Sequence, residues 1–334
     1  MINDIFRGDK MKAKLGIYAP VYGGWNRGIQ ENETKPSYRY AADTAKKAEE
    51  IGIHSIWVPD HMLNPIKGEH EPSLEAWTTL TAIAAQTKQI ELFHTTICQG
   101  FRYPAVLAKM GATLDDVSGG RFRFSIGSGW YQREFQAYGA PWYDHDTKID
   151  VAREQIEIIK SLWTKPTTNY KGKFYEIVEG ALEPKPVQKP HPPIWWGGDS
   201  HKSMELTADL ADGWLMSAST IDEAEEKIRK MTGMLDERGR KSMMYAIPGQ
   251  IFLGESDDEA KSMVKMLVGE NENLYCNLLA RGFVGSASTI ADRVEGLSDL
   301  GFNYVIFQPT PALETLNNME AHLLPLLKIT HASQ

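Results

Sequence analysis

Short apolar runs alternate with longer amphipathic segments along almost the whole chain. The runs are rich in Val, Ile, Phe, Tyr and Trp and are bounded by Gly, Pro or polar residues, which is typical of buried strands. The segments between them repeat apolar residues every three or four positions, which is typical of helices that pack on one face. Strands are predicted at 15–20, 53–59, 90–97, 122–126, 194–196, 213–216, 245–253 and 304–307. Helices are predicted at 38–51, 74–86, 104–117, 149–163, 203–210, 222–238, 257–280, 288–300 and 311–328.

This alternation predicts an α/β fold with parallel strands, since each strand-to-strand crossover contains a helix. Eight such units favour a single (β/α)₈ TIM barrel with insertions over an open sheet. We expect one domain over residues 12–330, preceded by a flexible lead-in at 1–11. Two segments interrupt the pattern: a long loop at 127–148 and a proline-rich excursion at 165–193, with a short hairpin around Tyr170–Ile177.

The composition narrows the classes of partner. The 334 residues include 36 Lys and Arg against 44 Asp and Glu, and a net charge of −8 argues against nucleic acid or an anionic membrane. The cysteines, Cys98 and Cys276, form no CxxC pair, and the histidines show no HxxxH or HExxH spacing, so we expect neither disulfides nor a metal site. With no apolar signal segment and no membrane-length apolar run, the expected location is the cytoplasm.

The barrel prediction selects the residues to consider for chemistry, because active sites of this fold lie at the carboxyl ends of the strands. The candidates there are Ala19, Asp60, His61, Thr95, Thr96, Cys98, Ser128, Gly129, Trp130, Gly197, Gly198, Ser200 and His201. The loop after the fourth strand also carries many aromatic residues, which suit a flat heterocyclic ligand or, equally, pack beneath the loop.

The segment Gly197–His201 joins the fifth strand to a helix. Two glycines let a backbone approach an anion closely, and the free amides at the start of the helix favour a phosphate. Ser200 and His201 could add side-chain donors. The alternative is a simple turn in which Asp199 or Ser200 caps the helix. An Asp beside a phosphate would repel it, so Asp199 must point away or cap.

Asp60 and His61 form the best polar pair at a strand end. An imidazole exchanges protons near neutral pH, so His61 is a candidate acid or base. Adjacent strand residues point to opposite faces, and the two side chains are therefore not expected to hydrogen-bond to each other. The alternative is a helix-capping Asp beside a surface His.

Six segments, in order along the chain, carry a resemblance to one family. They are WVPDH at 57–61, FRYPAVLAKMGATLDDVSGGR at 101–121, GSGWYQREFQAYGAPW at 127–142, EPKPVQKPHPPIWWGGDS at 183–200, ADGW at 211–214 and GSASTIADRVEGLSDLGFNYVIF at 285–307. Over roughly residues 12–327 the chain resembles the bacterial-luciferase-like flavin oxidoreductases, which include two-component FMN monooxygenases and F420-dependent oxidoreductases.

The resemblance implies a (β/α)₈ barrel, often a homodimer, with the flavin ring in the barrel mouth. It implies that Gly197, Gly198, Ser200 and His201 hold the flavin phosphate, and that Ser128, Gly129 and Trp130 lie near the flavin. It also implies a non-proline cis peptide bond within residues 94–96. The F420 branch often carries a catalytic Glu after the strand-four glycines, where this chain has Trp130.

The leading hypothesis is a flavin-dependent monooxygenase. Reduced FMN, supplied by a separate reductase, would activate O₂ to oxidise a small substrate such as a sulfone, a sulfonate or an N-heterocycle. His61 is expected to handle a proton near the flavin, with Arg102 or Arg133 screening anionic charge. One alternative is an F420-dependent hydride-transfer enzyme that uses His61 as acid or base, and a second is a flavin-binding barrel without turnover.

Overall fold

The computed structural model describes residues 13–22 and 36–328, so the lead-in at 1–11 lies outside the described residues. The strands in chain order are β1 Lys14–Tyr18, β2 Ser55–Val58, β3 Glu91–His94, β4 Ile97–Cys98, β5 Phe122–Gly127, β6 Thr168–Lys171, β7 Glu176–Gly180, β8 Ile194–Gly197, β9 Gly213–Leu215, β10 Met244–Leu253, β11 Phe283–Gly285 and β12 Tyr304–Gln308. The α-helices are α1 Tyr38–Glu50, α2 Ala76–Ala84, α3 Pro104–Ser118, α4 Gln132–Ala137, α5 His145–Thr164, α6 His201–Leu210, α7 Ile221–Glu237, α8 Asp257–Val268, α9 Glu272–Arg281, α10 Ala287–Asp299 and α11 Ala312–Asn318.

Eight of these strands close a parallel barrel, as the sequence predicts. Around the barrel they run β1, β2, β3, β5, β8, β9, β10 and β12, and β12 pairs again with β1. Helices connect the successive strands and cover the outside, where most of the apolar core lies. Their carboxyl ends therefore meet at one open end of the barrel.

Local signals in the sequence set the helix ends. The Ser37 side chain accepts a hydrogen bond from the Tyr40 amide at the start of α1. Pro104 occupies the first turn of α3, and Gly119, at φ 63°, ends that helix in the left-handed conformation. Thr220 and Glu223 form a reciprocal capping box at the start of α7.

Several elements differ from the sequence prediction, and the short strand β11 was not predicted. The predicted loop at 127–148 contains α4, and α5 begins at His145 because the Asp144 side chain caps it. The predicted single helix at 257–280 is two helices, since Gly269, at φ 59°, ends the first one. The predicted helix at 311–328 is α11 followed by a π-helical turn. The predicted hairpin is present as β6 and β7.

The inside of the barrel is filled largely by aromatic side chains. The buried cluster there comprises Tyr18, Trp57, Phe93, Trp195, Leu215, Ala246, Tyr304 and Ile306. Two glycines make room for the indoles: a Cβ on Gly16 would overlap Trp57, and a Cβ on Gly213 would overlap Trp195. The packed interior ends beneath the open mouth of the barrel, and the candidate site lies above it.

Candidate functional site

A cavity of about 380 Å³ opens at the carboxyl ends of the barrel strands. Its size falls within the range of small-molecule sites. The described residues that line it are Tyr18, Asp60, His61, Thr95, Thr96, Cys98, Gly127, Ser128, Gly129, Trp130, Glu134, Gly197, Gly198, Leu215, Met216, Ser217 and Pro248. The set combines a few polar groups with glycines and apolar side chains, which is typical of a site for a flat organic ligand.

His61 is held by a buried carboxylate. Its Nδ1 lies 2.7 Å from Oε1 of Glu134, whose other oxygen accepts hydrogen bonds from the Met62 amide at 2.7 Å and the Leu63 amide at 3.3 Å. A carboxylate fixed in this way accepts a hydrogen bond from the Nδ1–H group. In the neutral imidazole the lone pair that can bind a proton is then on Nε2. The His61 ring also lies edge-on to Trp130, with ring centroids 5.6 Å apart.

Asp60 takes part in a separate, buried ion pair. Its two oxygens accept hydrogen bonds from Nη1 and Nη2 of Arg102, at 2.6 and 3.0 Å. The Asp60 carboxylate also accepts the Cys98 amide at 3.0 Å, and Arg102 reaches Glu75 at 2.6 Å. The bidentate geometry fixes the backbone after β3, one wall of the cavity. Asp60 and His61, which follow the end of β2, thus have different partners and do not hydrogen-bond to each other, as the sequence predicts.

The end of β3 carries the non-proline cis peptide bond expected from the resemblance, between Thr95 and Thr96. Both threonines line the cavity. The Thr95 hydroxyl lies 2.9 Å from that of Tyr18, and burial raises the pKa of Tyr18 to about 12. His94, on the outer face of the same strand, packs against the Trp77 ring, and burial, with the charge of Arg102, lowers its pKa to about 3.

The glycine turn after β5 forms a second wall. Gly129 has φ 74°, and a Cβ there would collide with the Cys98 sulfur and the Phe135 ring. The Lys148 ammonium donates a hydrogen bond to the Gly129 carbonyl at 2.8 Å. Trp130 follows the turn; it is 56% exposed and stacks on the Tyr131 ring at 5.4 Å, so the pair forms an aromatic rim beside the mouth.

Beside it, at the end of the neighbouring strand β8, lies the Gly197–Gly198 turn at the start of α6. Ser200 is the capping residue: its hydroxyl accepts the Ser203 amide at 3.2 Å and lies 2.8 Å from Nε2 of His145. The Asp199 carboxylate accepts hydrogen bonds from the Lys227 ammonium at 2.6 Å and from the Ser217 amide at 3.3 Å. Lys227 thus compensates the charge of Asp199, and the first amides of α6 stay available to an anion.

The structure brings most of the predicted site residues together. Those that line the cavity are Asp60, His61, Thr95, Thr96, Cys98, Ser128, Gly129, Trp130, Gly197 and Gly198. Ala19, Arg102, Ser200 and His201 are outside that lining. The His201 side chain is 77% exposed and lies 3.7 Å from Glu205 on its own helix. The Arg102 guanidinium is engaged by two carboxylates, and Arg133 pairs with Glu69 at 2.7 Å.

Sequence reasoning did not select Tyr18, Glu134, Leu215, Met216 and Pro248, which line the cavity, or His145 and Lys148 beside it. Glu134 lies 73 positions from His61 and became visible only when the loop folded into α4. His145 and Lys148 lie on the first turns of α5, which the sequence prediction placed in the loop. The one signal in the sequence was that Glu134 is a carboxylate within the motif at 127–142, four residues after Trp130.

Residues 13–22 and 36–328 contain no helix that is both long and apolar enough to span a membrane. The same residues contain no group of three His, Cys, Asp or Glu side chains placed to hold a metal ion.

Comparisons with known proteins agree with this geometry. The family model described as luciferase-like monooxygenase matches residues 21–277. An FMNH₂-dependent dimethylsulfone monooxygenase of Pseudomonas putida is 24% identical over 287 residues, 76% of this chain and 78% of that protein. An F420-dependent glucose-6-phosphate dehydrogenase of Amycolatopsis mediterranei is 36% identical over 152 residues, 45% of each chain. A solved structure of a long-chain alkane monooxygenase superposes with a TM-score of 0.82 at 16% identity, covering 95% of this chain and 91% of that one.

Proposed function

Because the chain belongs to the luciferase-like monooxygenase family, we propose that it uses reduced FMN and O₂ to oxidise a small organic substrate. The observation that carries the proposal is the pairing of His61 with Glu134 in a cavity that is also lined by the Gly197–Gly198 turn at the start of α6. The cavity thus combines a proton carrier with a candidate anion site. The family relation makes the protein an oxidoreductase; the cofactor and the substrate are the proposed part.

The residues present fit a flavin phosphate and ring. A Cβ on Gly197 would overlap Thr96, and a Cβ on Gly198 would overlap Ser203 at the helix start, so only glycine lets this turn pack so closely at the cavity. The Gly198 carbonyl is held by the Trp214 indole at 2.9 Å, which fixes the turn. In this proposal Gly197, Gly198, Ser200 and His201 bind the phosphate.

When bound, reduced FMN supplies the electrons that activate O₂. His61 then holds or moves a proton at Nε2, while Glu134 keeps its ring in one orientation and one tautomer. The Trp130–Tyr131 pair limits the access of water at the mouth, which favours oxidation of substrate over the release of reduced oxygen. Asp60 and Arg102 hold the Cys98 backbone in place, and Thr95, Thr96, Ser128 and Gly129 complete the surface toward the ring.

F420-dependent hydride transfer is the second candidate, favoured by His61 beside a carboxylate and by the F420-dependent relative. Here the Glu134 oxygens are occupied by His61 and two backbone amides, so His61 is the proton carrier that faces the cavity. Trp130, with no titratable group, follows the strand-four glycines. The lack of a titratable side chain at Trp130 favours the monooxygenase.

A titration distinguishes the candidates. The pure protein is titrated with FMN and with F420 while the absorbance and fluorescence of each are followed. Preferential FMN binding, weakened by Gly198→Val but not by the remote Gly233→Val, supports the proposal. Preferential tight binding of F420 contradicts it.

A reduced complex that reacts slowly with O₂ would favour a barrel without turnover. The proposal extends to a small sulfone, sulfonate or N-heterocycle as the substrate, a separate reductase and a homodimer. Product analysis with candidate sulfones, coupling to an added flavin reductase and sedimentation velocity test these points separately.

A further inference from the structure

The interior of this barrel has an unusual composition. Branched aliphatic residues usually fill a (β/α)₈ barrel. Here the filling consists largely of oxidisable rings, Tyr18, Trp57, Trp195 and Tyr304, packed with Phe93. Each is at most 6% exposed.

The rings form a continuous set of contacts. Trp57 stacks on Phe93 with centroids 3.7 Å apart and an interplanar angle of 11°. The Trp57 ring centroid lies 6.2 Å from that of Trp195, which lies 5.5 Å from that of Tyr304. Trp57 and Tyr304 also meet directly at 6.1 Å. Two routes therefore connect Trp57 with Tyr304 through neighbouring rings.

The two ends of this set have different surroundings. At the upper end, Tyr18 lines the cavity and belongs to the same buried cluster. At the lower end, the Tyr304 hydroxyl donates a hydrogen bond to Oε2 of Glu91 at 2.6 Å. Glu91 pairs with Lys14 at 3.1 Å and with Arg123 at 2.8 Å. The Lys14 side chain is 42% exposed, so this end of the barrel reaches solvent.

We propose that the barrel interior is a redox relay that carries oxidising equivalents from the cavity to the opposite end of the barrel, where Tyr304 and Glu91 receive them. This inference rests on the proposed function, since the activation of O₂ in the cavity supplies the oxidant. Its role is protective: an activated-oxygen species that finds no substrate is reduced through the relay instead of attacking the cavity wall.

Each step moves one electron. The oxidant is an oxygen radical, superoxide or hydroxyl, left in the cavity by activated O₂. It takes one electron from the ring of Trp57 or Trp195, in the same buried cluster as Tyr18, and with protons from water becomes hydrogen peroxide or water. An electron from Tyr304 refills the tryptophan ring. Tyr304 loses its phenolic proton at the same time, along its hydrogen bond to Glu91, which leaves a neutral tyrosyl radical and a protonated Glu91. A phenol that has lost an electron is a far stronger acid than a carboxylic acid, so this direction of proton transfer is favoured. A soluble thiol or ascorbate returns the electron, and the proton goes back from Glu91.

Pulse radiolysis with azide radicals tests the relay without a flavin. Azide radicals oxidise tryptophan, and the transfer from tryptophan to tyrosine is followed by transient absorbance. The exposed Trp130–Tyr131 pair contributes the same tyrosyl signal to every variant. We expect wild-type protein to show an additional tyrosyl component that is lost in Tyr304→Phe and slowed in Trp57→Phe. The control Tyr245→Phe removes a buried tyrosine on the outer side of the barrel wall and should leave the signal unchanged. Near-ultraviolet circular dichroism checks the packing of each variant.

Equal tyrosyl signals in wild type, Tyr304→Phe and Tyr245→Phe would overturn the relay. Glu91→Gln gives a second test, because it keeps the ring and removes the proton acceptor; an undiminished radical yield there also contradicts the scheme. If FMN fails to bind in the titration above, only the proposed function is contradicted. The radiolysis experiment uses no flavin, so its result on electron transfer between the rings is unaffected.

The protective role has its own measurement. Protein with FMN is cycled with a chemical reductant and air in the absence of substrate, and oxidised residues are mapped by mass spectrometry. We expect Tyr304→Phe to raise oxidation of Met216 and Cys98, which line the cavity, relative to wild type and to Tyr245→Phe. The same damage in all three proteins would contradict a protective relay.

Discussion

The ion pair between Asp60 and Arg102 gives a quantitative test of which arginine has which role. The Asp60 side chain is 1% exposed and that of Arg102 is 9% exposed. Arg102→Met removes both hydrogen bonds from the guanidinium to Asp60 and the one to Glu75. The buried Asp60 carboxylate then keeps only its hydrogen bond from the Cys98 amide. Breaking a buried pair from one side costs about 3–5 kcal/mol, because the remaining charge stays desolvated. We expect the free energy of unfolding to fall by about that amount.

Urea unfolding followed by fluorescence and circular dichroism measures the effect. A matched control is Arg133→Met, which breaks the more exposed pair with Glu69 and should change the free energy of unfolding by less than about 1 kcal/mol. The double variant Asp60→Asn with Arg102→Met completes a mutant cycle. We expect it to be more stable than the sum of the single changes, since no uncompensated charge remains.

The reasoning fails if Arg102→Met unfolds like the wild type. It also fails if the two single changes are additive. Unchanged stability together with lost turnover would instead support the catalytic role for Arg102 that the sequence suggested.

Three other sets of substitutions have expected outcomes. His61→Gln should lower substrate-dependent O₂ consumption by about 10²–10⁴-fold, and Glu134→Gln should lower it too by releasing the imidazole; FMN affinity should hold in both, and unchanged turnover in His61→Gln would exclude that residue. The free energy of unfolding of the wild type should fall by about 2 kcal/mol between pH 6.5 and about pH 5. In this range the unfolded chain binds a proton at His94, whereas the buried His94 of the folded protein, with its pKa of about 3, stays neutral. Urea unfolding of His94→Phe should show a smaller dependence on pH, and an identical dependence contradicts the prediction. Gly213→Ala should destabilise by about 1–3 kcal/mol through overlap with the indole beside it, whereas Gly233→Ala, in an open helix position, should stabilise by up to about 1 kcal/mol; thermal unfolding compares the two, and equal effects would refute the packing argument.

The barrel could be predicted because its signals are local. Each of the eight strands is an apolar run, and many helices begin at a capping side chain that can be identified without knowing the fold. The strand-end rule then placed ten predicted residues on the cavity. The helices at 257–280 were harder, because Gly269 ends one helix only through its backbone conformation.

The partners of the site residues could not be predicted, because they depend on contacts distant in sequence. The Glu134 carboxylate reaches His61 only after α4 has formed in a segment without clear periodicity. The same limit applies to Arg102, whose charge suggested a ligand, whereas its guanidinium is committed to Asp60 and Glu75. Sequence spacing indicates where a side chain starts and leaves open which group it meets.

The first turns of α5 have a consequence for chimaeras built from this protein and its relatives. His145 contacts Ser200 after β8, and Lys148, one turn later, donates a hydrogen bond to the Gly129 carbonyl after the neighbouring strand β5. The first turns of α5 therefore contact both glycine turns of the cavity. Replacing either turn alone with that of a relative would remove one of these two contacts, so a successful exchange must include residues 144–148 together with the replaced turn.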